Sequence, residues 1–171
     1  MPTAAVFRLL LVPSPNVAHI FQTAKKQPEK IYGQIGQAVG LLGLRLLLAY
    51  EFFDAGLEKL HGKNWFGSIQ DQFPFPFSQF SADLNWNLAM YAELVFPVLL
   101  LVGLLTRLSA LALIVLTAVA WYAVHAGYGY TISEGGYKLA LMFIVMLLPL
   151  LGQGAGKLSL DYLWQRYRGK A

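Results

Sequence analysis

Four stretches of this chain, residues 38–57, 85–105, 108–124 and 136–151, are apolar enough to be read as membrane-crossing helices. Each approaches the roughly 20 helical residues that a bilayer core demands, and together they leave little chain for anything else. The charge content agrees with that reading. Charged residues make up 13% of the 171, against roughly a quarter in an ordinary soluble domain, and mean hydropathy is +0.51. A globule that must wet its surface is not built from this mixture, whereas a protein whose outer face meets lipid is. The expected fold class is all-α, an integral membrane four-helix bundle.

The segments between the spans add order and direction. Thr106 and Arg107 are all that separates spans two and three after Gly103, enough for a tight antiparallel turn, so these two helices should be neighbours. Small residues on span three (Ser109, Ala112, Thr117, Ala120, Ala123) suit close helix packing where no hydrophobic effect drives association. Arg8, Lys25, Lys26, Lys30, Arg107, Lys157, Arg166, Arg168 and Lys170 fall on one side of the predicted bundle, and Lys59, Lys63 and Lys138 on the other. Cytoplasmic loops carry the excess of Lys and Arg. Both termini are therefore expected in the cytoplasm.

The chain accordingly divides into a cytoplasmic or interfacial segment 1–34, a transmembrane domain 35–157 and a basic cytoplasmic tail 158–171. The apolar stretch 4–12 is interrupted by Arg8 and stopped by Pro13, which argues against a cleaved signal peptide. Val17, Ile20, Phe21 and Ile31 alternate with Lys25, Lys26 and Lys30, a pattern for a segment lying on the anionic inner leaflet or for a solvated leader. The external loop 58–84 holds Trp65, Phe66 and the run Phe73-Pro74-Phe75-Pro76-Phe77. Alternating Pro and Phe oppose helix and central strand, so the loop is expected on the membrane surface, as an interfacial anchor or as a lid over the bundle mouth.

Ionisable residues within spans mark what is unusual. Glu51, Asp54 and Glu58 at i, i+3, i+7 share one face of span one. Arg45 lies about 120° around from Glu51, so its partner should come from another helix, and Glu93 of span two is the expected one at a height difference under about 10 Å. An unpaired charge at that depth costs at least about 2.5–3.5 kcal/mol. An Arg45–Glu93 ion pair could simply staple the bundle, or it could order an outward-facing polar pocket lined by Glu51, Asp54, Glu93, His125 and Lys138.

Other chemistries leave weaker traces. The chain has no cysteine, which excludes disulfides, thiolate metal sites and Cys-x-x-Cys redox chemistry. His61 and His125 have no metal-ligand spacing, and His125 reads first as an interfacial hydrogen-bonding residue. Met90, Met142 and Met146, with His125, are weak candidates for a copper path, with core packing the competing role. The net charge of +4 follows the spans and forms no nucleic-acid patch, and no serine triad, phosphate loop or dinucleotide fingerprint is present.

From residue 44 onward the chain resembles the DoxX family of small four-helix membrane proteins. The resemblance rests on Leu44-Arg45-Leu46-Leu47-Leu48, Phe52-Phe53, Ala55-Gly56-Leu57 and Lys59-Leu60, then Ala92-Glu93-Leu94 and Gly103-Leu104-Leu105-Thr106-Arg107, then Gly156-Lys157-Leu158-Ser159-Leu160-Asp161. It implies an inner-membrane bundle with Arg45 and Glu93 at characteristic buried polar positions, and association with quinone-linked redox complexes. Residues 51–53, 64–66 and 73–77 are similar to a subgroup encoded beside genes for secreted, modified metal-binding peptides. Tyr137-Lys138 departs from relatives that carry an acidic residue there. The expected role is a redox-associated accessory subunit binding a quinone or another amphipathic molecule. The alternatives are a membrane partner in maturation, export or stress response of a copper-binding peptide, and a structural scaffold. A self-contained enzyme is the less expected reading.

Overall fold

The computed structural model describes the backbone of residues 15–169 and side chains from residue 31 to 169. The stretch 4–12, and the side chains of the basic segment up to Lys30, lie outside the described residues. The chain divides into two units, Met1–Gln37 and Ala38–Ala171. The described part of the first is helical from Pro15 onward, and the second contains the hydrophobic core.

The described backbone is helical, with no strand among the described residues. Helix α1, Pro15–His61, includes the first expected span and runs beyond it at both ends. Its close is local: the His61 ring N–H donates to the Leu57 carbonyl at 2.9 Å, and Lys59 and His61 place positive charge at the helix C-terminus, where the dipole favours it. Helix α2, Ala82–Val102, begins three residues before the expected boundary because Ser81 caps it, its hydroxyl accepting from the Leu84 N–H at 3.2 Å. It stops before Leu105 because Gly103 takes the left-handed conformation (φ +68°) and turns the chain. Helix α3, Thr106–Ala120, continues as a π-turn over Trp121–His125, and α4 is Lys138–Gln153.

Two segments, Ala82–Val102 and Thr106–Tyr128, are long and apolar enough to cross a membrane by themselves, with hydropathies of 1.4 and 1.9. The other two expected spans do not reach that standard alone. α4 is apolar but has 16 residues, about 24 Å of helix, and α1 carries Arg45, Glu51 and Asp54 in its apolar stretch. All four helices nonetheless contribute to one core: Leu41, Leu48 and Phe52 of α1 pack with Leu100 of α2, Leu113 of α3 and Leu147 of α4.

The loop after α1 is more ordered than its composition suggests. Short 3-10 turns at Phe66–Gln72 and Phe77–Gln79 flank the Phe-Pro run. Phe66 and Phe73 are buried with Trp86 and Ala89 of α2 and with Ala123, the Phe66 ring standing edge-on to Trp86 at 5.1 Å. Phe75 remains exposed at the tip. The tail, expected only to be basic, contains a further helix, α5, Leu160–Tyr167, capped by Ser159, whose hydroxyl accepts from the Tyr162 N–H at 3.2 Å.

Candidate functional site

Two polar centres lie at opposite ends of the shared core. At the first, Arg45 is 1% exposed and its guanidinium donates to four backbone carbonyls. Nε reaches Leu100 O at 2.8 Å, Nη2 reaches Leu101 O at 2.7 Å, and Nη1 reaches Leu158 O at 2.7 Å and Ala155 O at 3.2 Å. The first two acceptors belong to the last turn of α2, whose carbonyls have no partner within the helix and carry its negative dipole end. The other two belong to the non-helical turn between α4 and α5. A planar group with five N–H donors suits such a cluster as no other side chain does. Asp161 completes the knot, its carboxylate accepting from the N–H groups of Leu105 at 2.8 Å and Thr106 at 2.9 Å. It thereby holds Leu105 in the left-handed region (φ +50°), uncommon for a residue with a side chain.

The expected Arg45–Glu93 ion pair does not form. Glu93 pairs instead with Lys59, Nζ to Oε2 at 2.6 Å. The reason is where the helices cross. A Cβ on Gly56 would stand 2.9 Å from the Glu93 carbonyl carbon, so glycine lets α1 and α2 touch there. Lys59, one turn further along α1, is brought beside the carboxylate. Arg45 lies eleven residues before Gly56, about 16 Å along the helix, beyond its reach.

Around the Lys59–Glu93 pair is a cavity of about 780 Å³. Its walls are mostly apolar, including Phe52 and Ala55 of α1, Phe66 and Phe73 of the loop, Ala89 of α2 and Phe143 of α4. The polar residues that line it are Glu51, Lys59, Asn85, Glu93, Thr117 and His125. Asn85 is 4% exposed. Its Nδ2 donates to Phe77 O at 2.9 Å, which fixes the amide orientation, while its Oδ1 is buried without a hydrogen-bond partner. The π-turn at the end of α3 carries His125 to the same wall. Its Nδ1–H donates to Gly135 O at 2.6 Å, so Nε2 is the ring's remaining acceptor when the imidazole is neutral. Thr117 is internally satisfied, its hydroxyl donating to Leu113 O at 2.7 Å.

Of the five residues expected to line a pocket, Glu51, Glu93 and His125 line the cavity and Asp54 and Lys138 do not, nor does Arg45, expected to order it. Asp54 is exposed. Lys138 lies over the Tyr130 ring, 5.5 Å from its centroid. Lys59 and Asn85 are the residues that sequence reasoning missed. By sequence Lys59 reads as an external charge within the Lys59-Leu60 motif, with no partner assigned to it, although it follows Gly56 by one turn. Asn85 has no visible signal, because its role depends on the loop that folds over it. Among the described residues no group of three or more His, Cys, Asp or Glu could hold a metal. Met146 packs against the shared core, Met90 is buried and Met142 is exposed.

The DoxX family profile matches residues 40–126, which contain Arg45, Gly56, Lys59, Asn85, Glu93 and the Gly103–Arg107 turn. A protein of Haemophilus influenzae, described as uncharacterized, is 59% identical over 129 residues, 75% of this chain and 85% of the relative. A second from that organism, described in the same way, is 33% identical over 125 residues, 69% of this chain and 85% of the relative. No solved structure matches the sequence. With half the sequence under the family profile and three quarters aligned to a close relative, the chain belongs to the DoxX family of membrane proteins.

Proposed function

We propose that this protein is a multi-pass component of a bacterial inner membrane whose loop-end cavity holds an amphipathic small molecule of quinone type, making it a redox-associated accessory subunit. The observation that carries the proposal is the wall chemistry: Asn85, whose buried Oδ1 has no partner, and a Lys59–Glu93 pair are among the few polar groups lining a mostly apolar cavity of about 780 Å³. Ligand pockets have this size and this ratio of apolar wall to a few placed polar groups. The head group of such a molecule offers a carbonyl to the Lys59 ammonium or a hydroxyl to Asn85 Oδ1, and its tail follows the phenylalanine-rich wall.

The proposed orientation has both ends of the chain in the cytoplasm and α1 to α4 crossing the bilayer. Arg107, Lys157, Arg166 and Arg168 lie in helix ends, connection and tail at the Arg45 end, and Lys59, Lys63 and Lys138 in helix ends and loop at the cavity end. That distribution, with the basic residues preceding α1's apolar stretch, supports a cytoplasmic Arg45 end. The test is solvent extraction of protein purified from its native membranes, followed by mass spectrometry. A quinone or quinol near one equivalent is expected, and preparations that are folded yet free of any such molecule would overturn the reading.

A further inference from the structure

We infer that α5 is a membrane-surface anchor, and that the partner of its outer face is the headgroup region of anionic phospholipid. The helix is amphipathic in the inverted sense. Leu160, Leu163, Trp164 and Tyr167 recur at i, i+3, i+4 and i+7, one stripe of a helix, and all are turned outward, at 45%, 58%, 57% and 91% exposure. The face docked on the protein is polar. Asp161 and Tyr162, the half-buried residues of the helix, lie about 110° and about 150° from the centre of that stripe. The Asp161 carboxylate is bonded to Leu105 and Thr106, and its backbone N–H donates to Gly103 O at 2.8 Å. The first turn therefore docks through its polar side, and beyond it the apolar stripe stays exposed together with Gln165 and Arg166, where a surface helix on a soluble protein would turn such a stripe inward.

Three observations select the occupant. The first is rigidity: the Ser159 cap and the three Asp161 bonds fix the first turn of α5 to the turn joining α2 and α3, so the stripe cannot roll inward. The second is charge. Arg166 and Arg168 flank Tyr167 at the end of the stripe, and the Arg168 guanidinium stands 4.6 Å from the Trp164 ring centroid, a cation held beside an aromatic of the kind enriched at membrane interfaces. The single carboxylate of α5 is engaged in capping. The third is continuity, because Arg107 lies in the first turn of α3, next to the Thr106 N–H that Asp161 accepts from, and Lys157 lies in the connection that leads into α5. An apolar stripe beside a cluster of cations matches acyl chains below anionic headgroups.

The experiment uses the full chain, whose lack of cysteine makes Leu163→Cys, Gln165→Cys and Tyr167→Cys single labelling sites. Each variant is spin-labelled and reconstituted in phosphatidylcholine vesicles with and without phosphatidylglycerol. Collision with oxygen and with a water-soluble nickel chelate is then read for each label. Positions 163 and 167 should favour oxygen, with nickel access reduced severalfold relative to 165, and the protection should grow with phosphatidylglycerol and shrink in R166Q/R168Q. As a readout independent of the labels, brominated lipid should quench a component of tryptophan emission that Trp164→Phe removes. Equal nickel access at all three positions overturns the proposal. So does protection that ignores lipid charge, or dipolar broadening between labels at 163, which would make a second copy the occupant.

Discussion

The two ends of the shared core handle buried polarity in opposite ways. At the Arg45 end a full charge is surrounded by four backbone carbonyl oxygens, two from the last turn of α2 and two from the connection between α4 and α5. At the cavity end the charges of Lys59 and Glu93 cancel each other, and the buried amide oxygen of Asn85, a residue of the cavity wall, is left without a partner. The first arrangement leaves no room for a ligand and contributes stability. The second leaves unpaired hydrogen-bonding capacity in an apolar wall, where a missing partner costs about 1–3 kcal/mol. A bound molecule would offset that cost.

This contrast can be broken most directly at Arg45. Arg45→Ala strips donors from four carbonyls, and a loss of at least about 3 kcal/mol is expected, read as a lowered unfolding midpoint in detergent. A loss under about 1 kcal/mol would mean that the knot is not the stability centre. Gly103→Ala should cost about 2 kcal/mol, because φ is +68° and a Cβ there would stand 2.6 Å from both Arg45 Nη2 and Ser159 Cβ. Its effect should be less than additive with Arg45→Ala, since the two share that contact. Asp161→Ala, which uncaps α3, should cost about 1 kcal/mol by the same measurement. The smallest change in stability, within about 1 kcal/mol, is expected for Asn85→Leu, which exchanges an unsatisfied amide for an apolar side chain. Its sharper readout is the extractable quinone, which should fall well below that of the parent protein. Undiminished ligand in Asn85→Leu would show that the amide plays no part in recognition.

The motifs that point to the family have separate structural explanations. Leu44-Arg45, the Gly103–Arg107 turn and the 156–161 segment are distant in sequence, yet they meet in a single hydrogen-bonded knot. Ala55-Gly56-Leu57 and Ala92-Glu93-Leu94 meet at the crossing of α1 and α2. That Arg45 and Glu93 would both be buried is legible in the sequence, because charge inside an apolar stretch must find partners. Which partners they find is not. Helix periodicity gives the face of a residue but not its height relative to another helix. Counting residues from the span ends puts Arg45 level with Glu93, whereas the helices cross one turn from Lys59.

The amino-acid sequence by itself determined that this is a helical membrane protein with charge placed inside its helices, since composition and apolar run length depend on no neighbour. It also placed a tight turn after Gly103 between two neighbouring helices. Only the tertiary structure decided that carbonyl groups neutralise Arg45, that Lys59 claims Glu93, that the Phe-Pro loop closes over Asn85, and that α5 turns its apolar stripe outward. Each of these depends on where two segments far apart in the chain come into contact, and hydrogen bonds a few ångströms long are settled by that distance alone.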